Sequence, residues 1–75
     1  MATIKPYALM TTAERATWDH RAAELMEKVG GGFASALARA YFRADGDNQA
    51  RILGAFPDLF QRYRDWAAEA APVDE

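Results

Sequence analysis

The fold is decided between residues 30 and 63, where the chain reads GGGFASALARAYFRADGDNQARILGAFPDLFQRY. The three glycines end one helix, because glycine adopts the left-handed conformation common at helix C-termini without steric penalty. The Asp45-Gly46-Asp47-Asn48 run is typical of a turn, and Asp47 or Asn48 can cap the next helix. Pro57 ends that third helix and suits the first position of a fourth. The stretch therefore predicts helix, turn, short helix, corner and helix.

The residues before this stretch predict a longer first helix over residues 12 to 29. Thr11 and Glu14 have the spacing of a capping box, in which each side chain satisfies a free amide of the other residue. Residues 1 to 10 are expected to form an extended lead around Lys5-Pro6, and residues 72 to 75 a frayed tail. The inward face of the first helix is predicted from its apolar periodicity to comprise Trp18, Ala22, Leu25, Met26 and Val29.

The same periodicity predicts the inward faces of the later helices. The third helix, over about residues 48 to 55, turns Ile52 and Phe56 inward. Phe42 lies outside the main apolar face of the second helix, so it must pack on another element or another chain. The second helix is expected to bury Phe33, Ala36, Leu37, Ala40, Tyr41 and Ala44. The fourth helix is expected to bury Leu59, Phe60, Tyr63, Trp66, Ala67 and Ala70.

Composition predicts one all-α domain that spans residues 1 to 75. The 75 residues include 17 alanines but nine Leu, Ile and Val together, so helix propensity is high and aliphatic volume is scarce. Nine aromatic residues must fill the space between alanine-lined helices. A chain this short is marginally stable alone, and the absence of cysteine excludes disulfides. We therefore expect a compact bundle of three to four short helices that forms a homodimer.

The charge distribution argues against nucleic acid as the partner. The net charge is −2, and it divides into 0 for residues 1 to 38, +2 for residues 39 to 64 and −4 for residues 65 to 75. A nucleic-acid-binding domain carries a clearly basic footprint, which this chain lacks. No apolar run reaches the 18 residues of a membrane span, and the N-terminus lacks the apolar core of a signal peptide. These features predict a cytoplasmic protein without a membrane partner.

Three chemical interpretations are weak. The run from Asp45 begins like a calcium loop, but Ala50 stands where glycine is required and Phe56 where a bidentate glutamate is required. His20 and Glu24 lie one helical turn apart, yet a zinc site needs three or four ligands. Ser35 has no general base near it in the sequence. We expect no metal, no cofactor and no enzymatic activity.

A helix-turn-helix is the more serious alternative. The second helix, the Asp-Gly turn and the third helix place Asn48, Gln49 and Arg51 near a recognition-helix N-terminus, where such side chains can contact adenine and guanine edges. Against this interpretation, the aspartates at 45, 47 and 58 repel phosphates, and Pro57 ends the helix after barely two turns. A small DNA-binding regulator therefore stays an alternative.

The number of large aromatic residues favours a protein-binding surface. Trp18, Phe42, Tyr63 and Trp66 are too many for the core of a 75-residue chain, and interfaces are enriched in aromatic residues and arginine. A monomer with scattered surface aromatics is the simpler alternative. The residues predicted to contact a partner are Arg39, Phe42, Arg43, Arg62, Tyr63 and Trp66.

A resemblance extends over about half of the chain. It is carried by Gly31-Gly32-Phe33-Ala34, Leu37-Ala38, Tyr41 to Asp45, Asn48, Arg51-Ile52, Ala55 to Phe60 and Tyr63. In these residues the chain resembles small helical accessory proteins encoded by phages and prophages. The resemblance implies a protein that binds and inhibits or modulates a host protein, such as a quorum-sensing activator, a pilus motor or a CRISPR complex. A structural subunit of an assembly is a second alternative.

Overall fold

The structure, a computed structural model, describes residues 5 to 70, and the predicted tail at residues 72 to 75 lies outside them. The described part is a compact all-helical fold without strands, which confirms the predicted fold class. The lead, expected to be extended, contains a short 3-10 helix over Tyr7–Leu9. Four α-helices follow: α1 (Thr12–Val29), α2 (Gly32–Arg43), α3 (Gly46–Ala55) and α4 (Pro57–Ala70).

Local signals determine where the helices begin. The capping box is present as predicted: Thr11 Oγ1 accepts from the Glu14 amide at 3.1 Å, and Glu14 Oε1 accepts from the Thr11 amide at 2.9 Å. The predicted cap of α3 was wrong. Asp45 Oδ1 accepts from the Asn48 amide at 2.9 Å, so α3 begins at Gly46, before the expected residue 48. Pro57 is the first residue of α4, as expected.

Helix α1 is the centre of the bundle, and α2 and α4 pack on it much more extensively than α3 packs on α2 or α4. Its predicted inward face was only partly right, because Trp18 and Leu25 are half-buried and Val29 is exposed. The small side chains of alanine let two helices approach α1 closely, so the face is centred on its alanines. The buried residues of α1 are Asp19, Ala22, Ala23 and Met26.

The predicted inward face of α2 was only partly right: Tyr41 is buried and Leu37 is half-buried against the core, whereas three other predicted residues are exposed. Phe33 is 62 % exposed, and Ala36 and Ala40 are exposed too. Near its start, α2 turns a side with small residues towards α1, because small side chains allow the two helices to approach closely. The bulkier Phe33 does not lie on that side. The buried residues of α2 are Ala34, Ala38 and Tyr41.

Gly30 permits this close approach between α1 and α2. Its φ is −73°, so the predicted left-handed conformation was wrong. A Cβ atom at this position would lie 2.4 Å from the carbonyl oxygen of Met26 and 2.7 Å from Cβ of Ala34. The glycine is therefore required because there is no room for a side chain.

Aromatic rings join the remaining helices. Phe60 of α4 is fully buried, as predicted, and its ring centroid lies 5.5 Å from that of Tyr41. Phe56, expected in the core, is half-buried and meets the exposed Phe33 edge to face at 5.4 Å. Helix α3 has no fully buried residue. The core therefore lies mainly among α1, α2 and α4.

Replacing Gly30 by alanine is expected to lower the free energy of unfolding by about 1–3 kcal/mol, because the new methyl group overlaps backbone and Ala34. The control is Gly54→Ala in the interior of α3, where a Cβ meets nothing within 4 Å. That change should raise the free energy of unfolding by about 0.5–1 kcal/mol. Urea denaturation followed by circular dichroism measures both. Equal effects of the two substitutions would contradict the close approach at Gly30.

Candidate functional site

A buried ion pair joins α1 to α4. Arg64 Nη1 donates to Asp19 Oδ1 at 2.7 Å, and the two side chains are 7 % and 4 % exposed. Asp19 lies on the buried face of α1, and Arg64 lies one turn after the buried Phe60 on α4. Charges buried to this extent must be compensated by each other and by hydrogen bonds. The pair therefore requires further partners around it.

Tyr7 of the lead supplies two of these contacts. Its hydroxyl donates to Asp19 Oδ2 at 2.8 Å, and Cζ of Arg64 lies 3.9 Å from the centroid of its ring. Arg64 Nη2 also donates to Gln61 Oε1 at 2.9 Å. Within the described residues, Arg64 Nε is buried without a hydrogen-bond partner. The ring of Tyr7 covers the guanidinium group, an arrangement that a cation–π contact stabilises.

Arg15 fastens the lead to α1. Its Nε donates to the carbonyl oxygen of Tyr7 at 3.1 Å, and its Nη2 donates to that of Ala8 at 3.0 Å. At the start of the lead, Lys5 Nζ lies 3.1 Å from Glu14 Oε1. These contacts hold the phenol ring over the ion pair. The polar cluster of Tyr7, Asp19, Gln61 and Arg64 is thus a joint between the lead, α1 and α4.

The electrostatics of the cluster suit a structural role. Burial, and then the hydrogen bond and charge of Asp19, raise the pKa of Tyr7 from 10.0 to about 12, against the opposing effect of Arg64 and Arg15. Burial, followed by the charge of Asp19, also raises the pKa of Tyr41. Tyr7 is therefore a neutral hydrogen-bond donor at physiological pH.

A small cavity lies between the lead and α4. Its volume is about 200 Å³, below the range of roughly 300–1,000 Å³ that is usual for ligand pockets. Two polar side chains of its wall have partners: Lys5 pairs with Glu14, and Gln61 Nε2 donates to Asp65 Oδ1 at 2.8 Å. The buried Nε of Arg64, also in the wall, has none within the described residues. The cavity is lined by Lys5, Pro6, Tyr7, Met10, Gln61, Arg64 and Asp65. It offers few unengaged groups to a ligand.

The predicted partner-contacting residues of α4 lie together. Tyr63 is buried, and the Trp66 indole stacks on its ring with a centroid distance of 5.6 Å and an interplanar angle of 24°. Trp66 is 44 % exposed, and Arg62, one turn before it, is exposed too. Tyr63 therefore supports Trp66 from the core, while Trp66 and Arg62 face the solvent.

The predicted residues of α2 lie elsewhere and differ in exposure. Arg39 and Arg43 are exposed, and Arg39 Nη1 donates to Ser35 Oγ at 3.0 Å. Phe42 is half-buried, with its ring edge against His20 of α1 at a centroid distance of 5.1 Å. Phe42 thus packs on another element of its own chain, one of the two outcomes expected from the sequence.

The residues of the helix-turn-helix alternative are unequally available. Gln49 Nε2 donates to the carbonyl oxygen of Tyr41 at 3.0 Å, so this side chain ties α3 to the end of α2. Asn48 and Arg51 are exposed beside the exposed Asp45 and Asp47. An engaged Gln49 and two neighbouring carboxylates leave a poor surface for contact with base edges and phosphates.

The residues considered for a metal site or a nucleophile make simple structural contacts. His20 Nε2 lies 3.4 Å from Glu24 Oε2 on the exposed side of α1. In residues 5 to 70, no three His, Cys, Asp or Glu side chains come together as ligands for one metal ion. Ser35 Oγ donates to the carbonyl oxygen of Glu27 at 3.4 Å, which links the first turn of α2 to the end of α1.

Sequence reasoning missed the residues of the polar cluster. Asp19 and Arg64 are ordinary charged residues in the sequence, and hydrophobic periodicity assigns both to solvent. One signal was available: Asp19 is spaced at i, i+3, i+4 and i+7 with Ala22, Ala23 and Met26. A face of small residues with one acid suggests close helix packing around a buried charge.

Comparison of the chain with protein-family models, curated proteins and solved structures found no match. Within residues 5 to 70, no helix is both long enough and apolar enough to cross a bilayer. The fold and the polar cluster are therefore interpreted from the geometry alone.

Arg64→Met is expected to lower the free energy of unfolding by about 3–5 kcal/mol, because it leaves the Asp19 carboxylate buried without its cation. Asp19→Asn should destabilise the chain for the converse reason. The double variant should lose less than the sum of the two single changes, since it removes both charges. Arg51→Met, an exposed arginine of α3, is the control and should change stability by at most about 0.5 kcal/mol. Additive effects in this double-mutant cycle would contradict the ion pair.

Stability should fall as the pH rises from about 10 to about 12. The folded chain retains the Tyr7 proton up to about pH 12, whereas the unfolded chain loses it near pH 10, so deprotonation favours unfolding in this interval. Tyr7→Phe should make the fall smaller, and Tyr41 accounts for part of what is left. Urea denaturation at pH 9 to 12 measures the dependence. An identical pH profile for parent and Tyr7→Phe would refute the assignment to Tyr7.

Proposed function

We propose that the chain is a non-enzymatic protein-binding module, encoded by a phage or prophage, that inhibits or modulates a host protein in the host cytoplasm. A quorum-sensing activator, a pilus motor or a CRISPR complex is the kind of target that the resemblance implies. The module also self-associates, since a chain this short gains stability from a second copy. No cofactor is part of the proposal.

One observation carries the proposal: Trp66 is 44 % exposed although it sits on a well-packed helix. Stacking on the buried Tyr63 fixes the indole in place, so little side-chain entropy is lost when a partner covers it. Arg62 stands one turn away and is exposed. Trp, Tyr and Arg are the residue types that most often dominate binding energy at protein interfaces.

The polar cluster supports a binding role over an enzymatic one. Its charged groups are paired with each other, and its phenol is engaged as a hydrogen-bond donor to Asp19. A catalytic site places a nucleophile or a base where a substrate can reach it. The cluster instead rigidifies the joint from which α4 presents Trp66. A rigid scaffold below an exposed aromatic side chain favours recognition.

The exposed arginines of α2 form a second group of proposed partner contacts, apart from those of α4. Arg39 and Arg43 lie one turn apart on the exposed side of α2. Guanidinium groups at the edge of an interface form hydrogen bonds to acidic or carbonyl groups of a partner. Phe42 and Tyr63 are less exposed, so we propose them as minor partner contacts beside Trp66 and the arginines.

The test is capture from a host lysate by the immobilised chain, with the captured protein identified, purified and titrated. Trp66→Ala and Arg62→Ala should each weaken binding by about 1–2 kcal/mol while circular dichroism stays unchanged, because the residues are exposed. Arg39→Ala and Arg43→Ala should weaken it less. Arg51→Ala is the control, as an exposed arginine outside the proposed surface.

Full binding by the Trp66 and arginine variants would contradict the proposed surface. Salt-dependent retention on nonspecific DNA, lost in Arg51→Ala, would instead favour the DNA-binding alternative. Ordered oligomers larger than a dimer would favour a structural subunit.

A further inference from the structure

The outer face of α4 has a charge pattern that is complementary to itself. Arg62 lies one turn before Trp66, and Glu69 lies close to one turn after it, and both charged side chains are exposed. Among the described residues, neither Arg62 nor Glu69 has an ion-pair partner. The two charges are seven residues apart, or about 10.5 Å along the helix axis. The exposed indole is therefore flanked along the helix axis by opposite charges, while the exposed carboxylate of the adjacent Asp65 accepts a hydrogen bond from Gln61 Nε2 at 2.8 Å.

Antiparallel pairing of two such faces satisfies both charges. If a two-fold axis passes between residues 65 and 66, Arg62 of one copy faces Glu69 of the other, and the reverse holds at the second end. The two Trp66 rings then meet near the axis. A parallel arrangement would place arginine against arginine and glutamate against glutamate. Two-fold dimers are built from such self-complementary patches.

The other exposed apolar residues lack this pattern. Phe33 is more exposed than Trp66, but its neighbours one turn further along α2 are Ala36 and Leu37, which carry no charge. Leu9 belongs to a three-residue 3-10 helix, which presents no extended face. Val29, 52 % exposed, is the last residue of α1, and its neighbours one turn before are the uncharged Leu25 and Met26. Trp66 is thus the exposed apolar side chain whose flanking charges favour one partner, a second copy of the chain, and one relative orientation, antiparallel.

We propose that the α4 face of Arg62, Trp66 and Glu69 binds the same face of a second copy in an antiparallel, two-fold symmetric arrangement. This inference rests on the proposed function, because it names the second copy as the occupant of the binding surface. It also implies that pairing regulates host binding. Because Trp66 is covered in the pair, self-pairing and host binding through α4 exclude each other. Dilution of the chain then exposes the host-binding face.

The test is sedimentation equilibrium of the full chain and of charge-reversed variants. Arg62→Glu places glutamate against Glu69 twice in the symmetric pair, and Glu69→Arg places arginine against Arg62 twice. Each variant should dissociate with a constant raised by about tenfold or more, since like charges then oppose each other at both ends. The double variant, Arg62→Glu with Glu69→Arg, should pair like the parent because the attraction is restored.

A mixture gives the sharpest result. The Arg62→Glu and Glu69→Arg chains, each monomeric alone, should form a heterodimer when combined, because both contacts become attractive. Arg51→Glu is the matched control: it reverses an exposed arginine on α3, outside the proposed binding surface, and should leave the pairing unchanged. Circular dichroism checks that every variant is folded.

Two results would overturn this inference. One is a parent chain that stays monomeric at all concentrations, and the other is an Arg62→Glu chain that pairs as the Arg51→Glu control does. Host binding is measured separately on the parent, so a monomeric chain that captures its host protein would refute the pairing alone. Pairing without capture of any host protein would refute the proposed host target alone.

Discussion

Asp19 and Arg64 stand 45 residues apart in the chain and form the contact on which the arrangement of α1 and α4 depends. A buried pair of charges tolerates little displacement, because each charge is compensated at one distance and one orientation. Apolar faces lined with alanine could slide past each other at small cost, since their methyl groups resemble one another. The ion pair, with Tyr7 above it, supplies the missing specificity and defines one register for the two helices.

Features that depend on neighbouring residues could be predicted from the sequence. The capping box at Thr11, the proline at the start of α4 and the bounds of α1 follow from contacts within a few residues, and the structure confirms them. The cap of α3 was misplaced by two or three residues because Asp45, Asp47 and Asn48 are all chemically able to serve. Only the path of the backbone selects among them.

Features that depend on how helices meet could not be predicted in the same way. At the start of α2, Ala34 is buried in place of Phe33, because Gly30 lets α1 and α2 approach closely there, whereas Tyr41 further along the helix is buried as predicted. Hydrophobic periodicity weighs Phe33 above Ala34, whereas close packing reverses that order. Hydrophobic periodicity likewise assigns Asp19 and Arg64 to solvent, so their buried ion pair was not predicted. For the candidate binding surface, Trp66 could be named from its residue type, but its support by Tyr63 needed the structure.

Helix α3 has a consequence for the dynamics of the chain. It has no fully buried residue and makes few contacts with α2 and α4. By contrast, α1 and α4 are joined by the buried ring of Phe60 and a buried ion pair. Segments with few buried contacts open locally at a smaller free energy than the global transition. We therefore expect the amide hydrogens of α3 to exchange with solvent through local opening, and those of α1 and α4 to exchange when the whole domain unfolds. The core of α1, α2 and α4 would then unfold as one cooperative unit, with α3 as its least stable helix.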